Sequence, residues 1–226
     1  IMRSLTLGFH YAGLQTGRSF LSFARGGCRL NMRWFQHYQE APNTPCGWVH
    51  TNISAALPAI PRGTTFFISE VSSSWCNQSS SGTVECREDG KKELQHFKNR
   101  GFHVVFIGMP PTAPFNPEDC LEPNSKPECV AYGPAGKLYE SEEWIQNYVE
   151  KEIGVDYISL YPYLRASESG DNFTYFAGKY PLYKDERRLN QNGGVYLTPF
   201  IVELLNTYLT PTRKPWNPGN LGDLEL

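Results

Sequence analysis

Acid–base chemistry at a carboxylate is the first chemistry that the sequence suggests, in the segment PLYKDERRLN at positions 181–190. Asp185 is the residue type that orients a histidine for proton transfer, but no histidine follows His103. Arg188 cannot act as the base, because a guanidinium group stays protonated at any working pH. Since Asp185 and Arg188 are spaced i, i+3, we expect an inert ion pair between them.

His10 is the histidine that could act as base or nucleophile, with Asp185 as its orienting acid. The other histidines are expected to be structural or solvated: His37, His50, His96 and His103. The serines at 69 and 72–74 lack the glycine-flanked turn that exposes a serine nucleophile. Two alternatives therefore stay open, a rewired His10–Asp185 pair and an inert Asp185–Arg188 pair.

Strand and helix patterns alternate along the chain and must position these residues. Residues 3–9 alternate polar and apolar side chains and predict a first strand, followed by a helix. Further strands are predicted at 64–71, 103–108 and 155–160. Helices are predicted at 11–23, 89–100, 141–152 and 193–209, with one helical turn at 52–57.

This alternation predicts an α/β fold, a flavodoxin-like three-layer sandwich with a central parallel sheet, over residues 1–209. Reactive groups in such sheets collect at the carboxyl ends of the strands. Residues 210–226 hold three prolines and little apolar content, which predicts a C-terminal tail.

Composition narrows the functional classes. The 226 residues carry a net charge of -2, from 21 basic and 23 acidic side chains, so we expect no nucleic-acid partner. No apolar run approaches the roughly 20 residues of a membrane-spanning helix. We expect no cofactor.

Six cysteines form three neighbouring pairs along the sequence, which we interpret as disulfides. The pairs are Cys28 with Cys46, Cys76 with Cys86, and Cys120 with Cys129. Spacing alone does not fix this connectivity, and reduced thiols in a cytosolic protein are the alternative. A metal site is not expected, because no Cys-x2-Cys pair occurs. Disulfides favour an extracytoplasmic location: periplasmic, lumenal or secreted.

Landmarks along nearly the whole chain resemble the SGNH hydrolase-like domains attached to acyltransferase-3 carbohydrate O-acetyltransferases. The segment LGFHYAG at 7–13 is similar to that family's Leu-Gly-Asp-Ser-His-Ala block, and residues 26–28 are similar to its Ser-Gly-Cys turn. Residues 73–75 resemble its strand-end tryptophan segment, and 104–121 its strand, proline loop and cysteine. The segment PLYKDERRLN resembles Pro-Leu-Tyr-Tyr-Asp-Asp-Asp-His-Leu-Ser, which supplies the family's catalytic aspartate and histidine.

The resemblance implies site residues and also departures from the family pattern. His10 takes the position of the nucleophilic serine, Asp185 that of the acid, and Arg188 that of the base, so two of three triad members are replaced. Gly27 and Trp75 take oxyanion-hole or binding positions. Their alternative roles are a turn glycine and a packing aromatic residue.

Together, the resemblance and its departures predict an extracytoplasmic SGNH-like domain with impaired catalysis that binds a glycan or a partner. The expected partners are a carbohydrate and a membrane acyltransferase domain. Two alternatives are an active O-acetyltransferase or acetylesterase that uses His10 and Asp185, and a structural secreted module.

Overall fold

The computed structural model of the chain describes residues 2–18, 20, 44–69, 84–120, 122–136, 142–167 and 170–209. The helices are α1 (Met2–Thr16), α2 (Pro45–Ala56), α3 (Val84–Asn99), α4 (Glu142–Asn147), α5 (Tyr161–Leu164), α6 (Gln191–Tyr196) and α7 (Thr198–Tyr208). The strands are β1 (Thr65–Ile68), β2 (His103–Ile107), β3 (Tyr132–Pro134), β4 (Asp156–Ile158), β5 (Asn172–Thr174), β6 (Phe176–Ala177) and β7 (Tyr180–Pro181). A π-helical segment, Tyr148–Ile153, continues α4.

A parallel sheet of order β1-β2-β4 forms the centre of the described fold, which confirms the α/β class. Phe66 of β1 lies opposite Val104, and Phe106 of β2 lies opposite Tyr157. Parallel neighbours need a crossover connection, and α3 supplies it between β1 and β2. These strands are short and rich in β-branched and aromatic residues, as predicted for strands covered on both faces.

Hydrophobic clusters cover both faces of this sheet. Because successive strand residues point to opposite faces, Ile107 joins one cluster while Phe106 joins the other. Helices α1 and α7 pack on the Ile107 face, and α2, α3 and α4 with its π-helical continuation pack on the Phe106 face. The result is the three-layer arrangement expected from the alternating pattern.

The first predicted strand is wrong, because residues 3–9 belong to α1. Leu5, Phe9 and Ala12 are buried at i, i+4 and i+7, the period of one helical face. Gly8 lies on the same face, and α1 packs against α6 and α7. The predicted helix at 11–23 is displaced accordingly, since α1 ends at Thr16 and Gly17 follows with φ of +65°.

Several further elements differ in length from the prediction. Helix α3 begins at Val84 instead of 89, and β1 and β4 end at Ile68 and Ile158 instead of 71 and 160. The helical turn predicted at 52–57 covers the end of the longer α2 and the first residue of a 3-10 helix, Leu57–Ala59. Thr44 caps α2 by accepting a hydrogen bond from the Gly47 amide. The helix predicted at 193–209 is divided into α6 and α7 at Leu197, two residues before Pro199. A proline in the first turn of α7 needs no amide donor and so starts that helix.

One disulfide, Cys120–Cys129, lies within the described residues, and both side chains are buried. Cys28 and Cys76 lie outside the described residues, so the pairs Cys28–Cys46 and Cys76–Cys86 stay predictions. The predicted tail at 210–226 also lies outside them. No helix in the described part of the chain has the length and apolarity needed to cross a membrane.

Candidate functional site

The segment 182–190 folds as a short hairpin that presents Asp185 at its tip. Tyr183 and Leu189 form an antiparallel bridge, and the Lys184 amide donates to the Arg188 carbonyl at 2.7 Å. Tyr183 and Leu189 are fully buried, whereas Lys184 is exposed. The alternation anchors one side of the hairpin in the core and leaves the other in solvent. We call residues 184–188 the Asp185 loop.

Asn190 fixes the end of this hairpin to the helix that follows it. Its side-chain oxygen accepts from the Gly193 amide at 3.0 Å, which caps α6. Its side-chain nitrogen donates to the carbonyl oxygens of Pro181 and Tyr183, at 2.8 and 3.1 Å. One side chain thus ties both strands of the hairpin to the start of α6.

The Asp185 loop contacts the segment that leaves the carboxyl end of β2. The Ala113 amide donates to the Glu186 carbonyl at 2.7 Å. The Gly136 amide in turn donates to the carbonyl of Thr112 at 2.7 Å. The loop is therefore held at the carboxyl edge of the parallel sheet, where α/β folds place their reactive and binding groups.

Asp185 and Arg188 form the expected ion pair. The Arg188 side chain approaches Asp185 Oδ2 through both Nε and Nη2. Asp185 Oδ1 accepts from the backbone amides of Arg187 and Arg188, each at 2.9 Å. The side chain of Asp185 is 30% exposed and that of Arg188 is 53% exposed, so the pair lies at the surface of the loop.

Opposing effects set the pKa of Asp185. Partial burial acts to raise it, but the hydrogen bonds from the Arg188 side chain and from the Arg187 and Arg188 amides, together with the charge of Arg188, hold the pKa below its ordinary value. The carboxylate is therefore ionised at neutral pH, and both of its oxygens already accept hydrogen bonds. Within the described residues, its hydrogen-bond donors are the Arg188 guanidinium group and the backbone amides of Arg187 and Arg188.

His10 lies in the middle of α1 and not at the carboxyl end of a strand. Its ring packs edge-on against Tyr11, and the residue is exposed. At 100° per residue, His10 is about 200° around the helix from Gly8, whose face contacts α6. The strand that supported a nucleophile position at His10 is absent, so its catalytic role remains a prediction without geometrical support.

Gly27 and Trp75 lie outside the described residues, and their predicted oxyanion or binding roles remain predictions. Of the predicted site residues, the structure thus brings Asp185 and Arg188 together. No group of three or more histidine, cysteine or acidic side chains suited to a metal occurs within the described ranges.

A second polar cluster, around Glu142, was not predicted from the sequence. The Tyr157 hydroxyl donates to Glu142 Oε1 at 3.4 Å, and Ser159 also bonds to this carboxyl group. Ser159 Oγ accepts from the Tyr161 amide at 3.0 Å. Tyr157 reaches Glu142 across Gly108, where a β-carbon would overlap the tyrosine hydroxyl.

Burial raises the pKa of Glu142, against the lowering effect of the Ser159 and Tyr157 hydrogen bonds and of the Arg165 charge. The cluster connects α4 to the carboxyl end of β4. Ser159 directly follows β4, so the strand-end rule could have found it. No sequence signal marked Glu142 as partly buried, because an acidic residue in a first helical turn is ordinarily a solvated one.

Comparison with known proteins bears on this fold. A family model described as "SGNH domain (fused to AT3 domains)" matches residues 1–203. The periplasmic domain of a lipopolysaccharide acetyltransferase from Salmonella ser. Paratyphi A has a similar structure, with a TM-score of 0.60. The two chains are 16% identical, and the match covers 89% of this chain and 78% of the other. At that identity the likeness concerns the fold. No curated protein matches the sequence.

Proposed function

The chain belongs to the family of SGNH domains of the kind fused to AT3 domains, and we propose that it serves an acyltransferase as a saccharide-binding domain without acyl-transfer or hydrolytic activity of its own. The observation that carries this proposal is the Asp185–Arg188 pair. A serine-type triad needs a base that accepts a proton and later returns it, and a guanidinium group does neither.

Exposed aromatic rings support saccharide binding. Tyr132 on β3 is 58% exposed, Tyr180 on β7 is 56% exposed, and Trp48 on α2 is 56% exposed. Aromatic rings supply a large apolar face together with a polar group, so they suit surfaces that bind partly polar ligands. The acceptor of an attached acyltransferase domain would be such a ligand.

An extracytoplasmic location is part of the proposal. The Cys120–Cys129 disulfide supports it, because disulfides persist in oxidising compartments. The structural neighbour is described as a periplasmic domain, which agrees with the same location. The partner that we propose is a membrane acyltransferase domain, of the kind to which members of this family are fused.

Ester hydrolysis tests the absence of catalysis. We expect p-nitrophenyl acetate to be hydrolysed at the buffer rate by the purified chain and by its Asp185→Asn and His10→Ala variants. His96→Ala serves as a matched control, because His96 lies on another helix, α3. Turnover above background that disappears in Asp185→Asn or His10→Ala, but persists in His96→Ala, would instead establish an active esterase with a rewired site.

Saccharide binding is tested separately, by calorimetry with O-acetylated and unmodified tetrasaccharides of glucose, galactose and N-acetylglucosamine. We expect at least one series to bind and expect Tyr132→Ala or Tyr180→Ala to weaken it severalfold. Leu14→Ala is the matched control, because Leu14 is 68% exposed but has no ring. Absence of binding in every series, or equal weakening by Leu14→Ala, would contradict the proposal.

A further inference from the structure

Arg188 has one edge of its guanidinium group occupied and another edge available. Nε and Nη2 contact Asp185 Oδ2, and none of the hydrogen bonds among the described residues uses Nη1. A guanidinium group has five N–H donors in a planar fork. Because the carboxylate holds the Nε side, the plane of the group is fixed and the Nη1–Nη2 edge is left for another acceptor. The side chain is 53% exposed, so a ligand can reach that edge.

Lys184 lies directly across the hairpin from Arg188. Its backbone amide donates to the Arg188 carbonyl at 2.7 Å, and the adjacent pair, Tyr183 and Leu189, faces the core. Residues opposite each other on an antiparallel pair direct their side chains to the same side. Two cationic side chains therefore share the solvent side of this hairpin, at the carboxyl edge of the sheet.

The charges of the Asp185 loop favour an anion at this position. The loop holds Lys184, Arg187 and Arg188 against Asp185 and Glu186, a net charge of +1. Asp185 compensates for one of the two cations on the solvent side, and like charges placed opposite each other in a hairpin are unfavourable. An anionic ligand between Lys184 and the free edge of Arg188 would remove that repulsion.

We propose that Lys184 and the Nη1–Nη2 edge of Arg188 bind an anionic group on the saccharide, a phosphate or a carboxylate. This inference rests on the proposed saccharide-binding function and narrows its substrate class. Arginine suits planar, two-point recognition of such groups, and the lysine adds a point charge. Arg188 takes the position at which the related domains have their acid–base histidine. At this position the side chain would bind an anion instead of transferring a proton.

Calorimetry with glucose, glucuronate, glucose 6-phosphate and inorganic phosphate tests the proposal. We expect glucuronate or glucose 6-phosphate to bind at least tenfold more tightly than glucose, with an affinity that falls as salt increases. The comparison of glucuronate with glucose 6-phosphate distinguishes a carboxylate from a phosphate. Inorganic phosphate shows whether the anion alone is recognised.

Substitutions at Lys184 and Arg188 then test whether these side chains are responsible for binding of the charged sugar. Arg188→Gln should weaken binding of the charged sugar at least tenfold, and Lys184→Gln severalfold. Arg188→Lys keeps the charge but not the second edge, so it should restore only a minor part of the affinity. Lys92→Gln, an exposed lysine on α3, should leave binding unchanged. Circular dichroism confirms that each variant is folded, and Lys184→Gln provides the test should Arg188→Gln not fold.

Equal affinity for glucose and the charged sugars, absence of binding by every probe, or unchanged binding in both Arg188→Gln and Lys184→Gln would overturn the inference. Binding of neutral tetrasaccharides without preference for charge would overturn it and leave the proposed function intact. Esterase turnover dependent on Asp185 would contradict the proposed function whatever the result with charged sugars.

Discussion

Asp185 is held as a carboxylate by two backbone amides and one guanidinium group, and this predicts a specific pH dependence. Because its folded-state pKa lies below the ordinary 3.8, its contribution to stability is complete above that value and is lost as pH falls through the lower folded value. We expect Asp185→Asn to reduce the free energy of unfolding by about 1 kcal/mol at pH 7, a modest loss because the pair is partly exposed. In urea unfolding, this difference should shrink below about pH 4.

Asp171→Asn is the matched control for this prediction, because Asp171 is an exposed aspartate. Asp171→Asn should leave the free energy of unfolding unchanged at pH 7 and at pH 3. A difference between the original chain and Asp185→Asn that is the same at pH 7 and pH 3 would show that the ion pair is not its source.

For Glu142 we expect the opposite dependence of folding stability on pH. Burial raises its folded-state pKa above the ordinary 4.5, so the ionised form is disfavoured in the fold and the group contributes less to stability as pH rises through its folded pKa. Glu142→Gln keeps an oxygen that accepts from Tyr157 and Ser159 but carries no charge. We expect the melting temperature of the Glu142→Gln variant to be about 1–2 °C above that of the original chain at pH 7, and equal to it at pH 4. Glu143→Gln, at the exposed neighbouring position, should show neither effect. Destabilisation by Glu142→Gln at pH 7 would contradict this assignment.

Among contacts between individual side chains, the Asp185–Arg188 pair was predicted from the sequence, but the Glu142 cluster was not. The first depends on spacing within one short segment, which a single sequence contains. The second joins α4 to β4 through Tyr157 and Ser159, 15 and 17 positions away, and requires the crossover to be folded.

Gly8 lies where α1 passes close to the backbone of α6, and we base a prediction for the helices on this contact. A β-carbon there would overlap the Gly194 carbonyl oxygen and lie 2.7 Å from Ile201 Cδ1. We expect Gly8→Ala to reduce the free energy of unfolding by about 3 kcal/mol, because a backbone carbonyl cannot move aside as a side chain can. Chemical denaturation measures the loss, and Gln15→Ala on the exposed side of α1 is the control.

A second substitution identifies which contact is responsible. Ile201→Val removes the Cδ1 atom but leaves the Gly194 carbonyl in place, so it should not rescue Gly8→Ala. A full rescue would show that the side-chain contact, and not the backbone approach of α1 to α6, limits the size of residue 8.

The same glycine explains why α1 was predicted as a strand. Residues 3–9 satisfy both a two-residue and a helical period, because Leu5 and Phe9 fit either pattern. Gly8 was interpreted as the end of a strand, whereas it is a site of close helix packing, a long-range contact with no local signal. By contrast, β2 is a continuous apolar run and α7 has an apolar pattern of helical period. Both ends of β2 and the end of α7 were predicted to within one residue, whereas α7 starts at Thr198 and not at 193.

The two faces of the central sheet share β2, which makes the described fold a single packing unit. Val104 and Phe106 face the cluster that includes α3, and Ile107 faces the cluster that includes α1 and α7. Loss of packing on either face should therefore weaken the strand that holds the other. Loss of packing around β2 should also loosen the Asp185 loop, because Ala113, in the segment that leaves β2, holds this loop by a hydrogen bond to the Glu186 carbonyl.

Core truncations on opposite faces should therefore lower one shared unfolding transition. Leu94 lies in one cluster at 1% exposure, and Leu204 lies in the other at 3%. We expect Leu94→Ala and Leu204→Ala each to reduce the free energy of unfolding by about 2–4 kcal/mol, with far-ultraviolet circular dichroism and tryptophan fluorescence reporting the same midpoint. Leu14→Ala, at 68% exposure, should change it by less than about 0.5 kcal/mol. Separate midpoints for the two probes in either core variant would mean that the two faces unfold independently, since β2 would then no longer couple them.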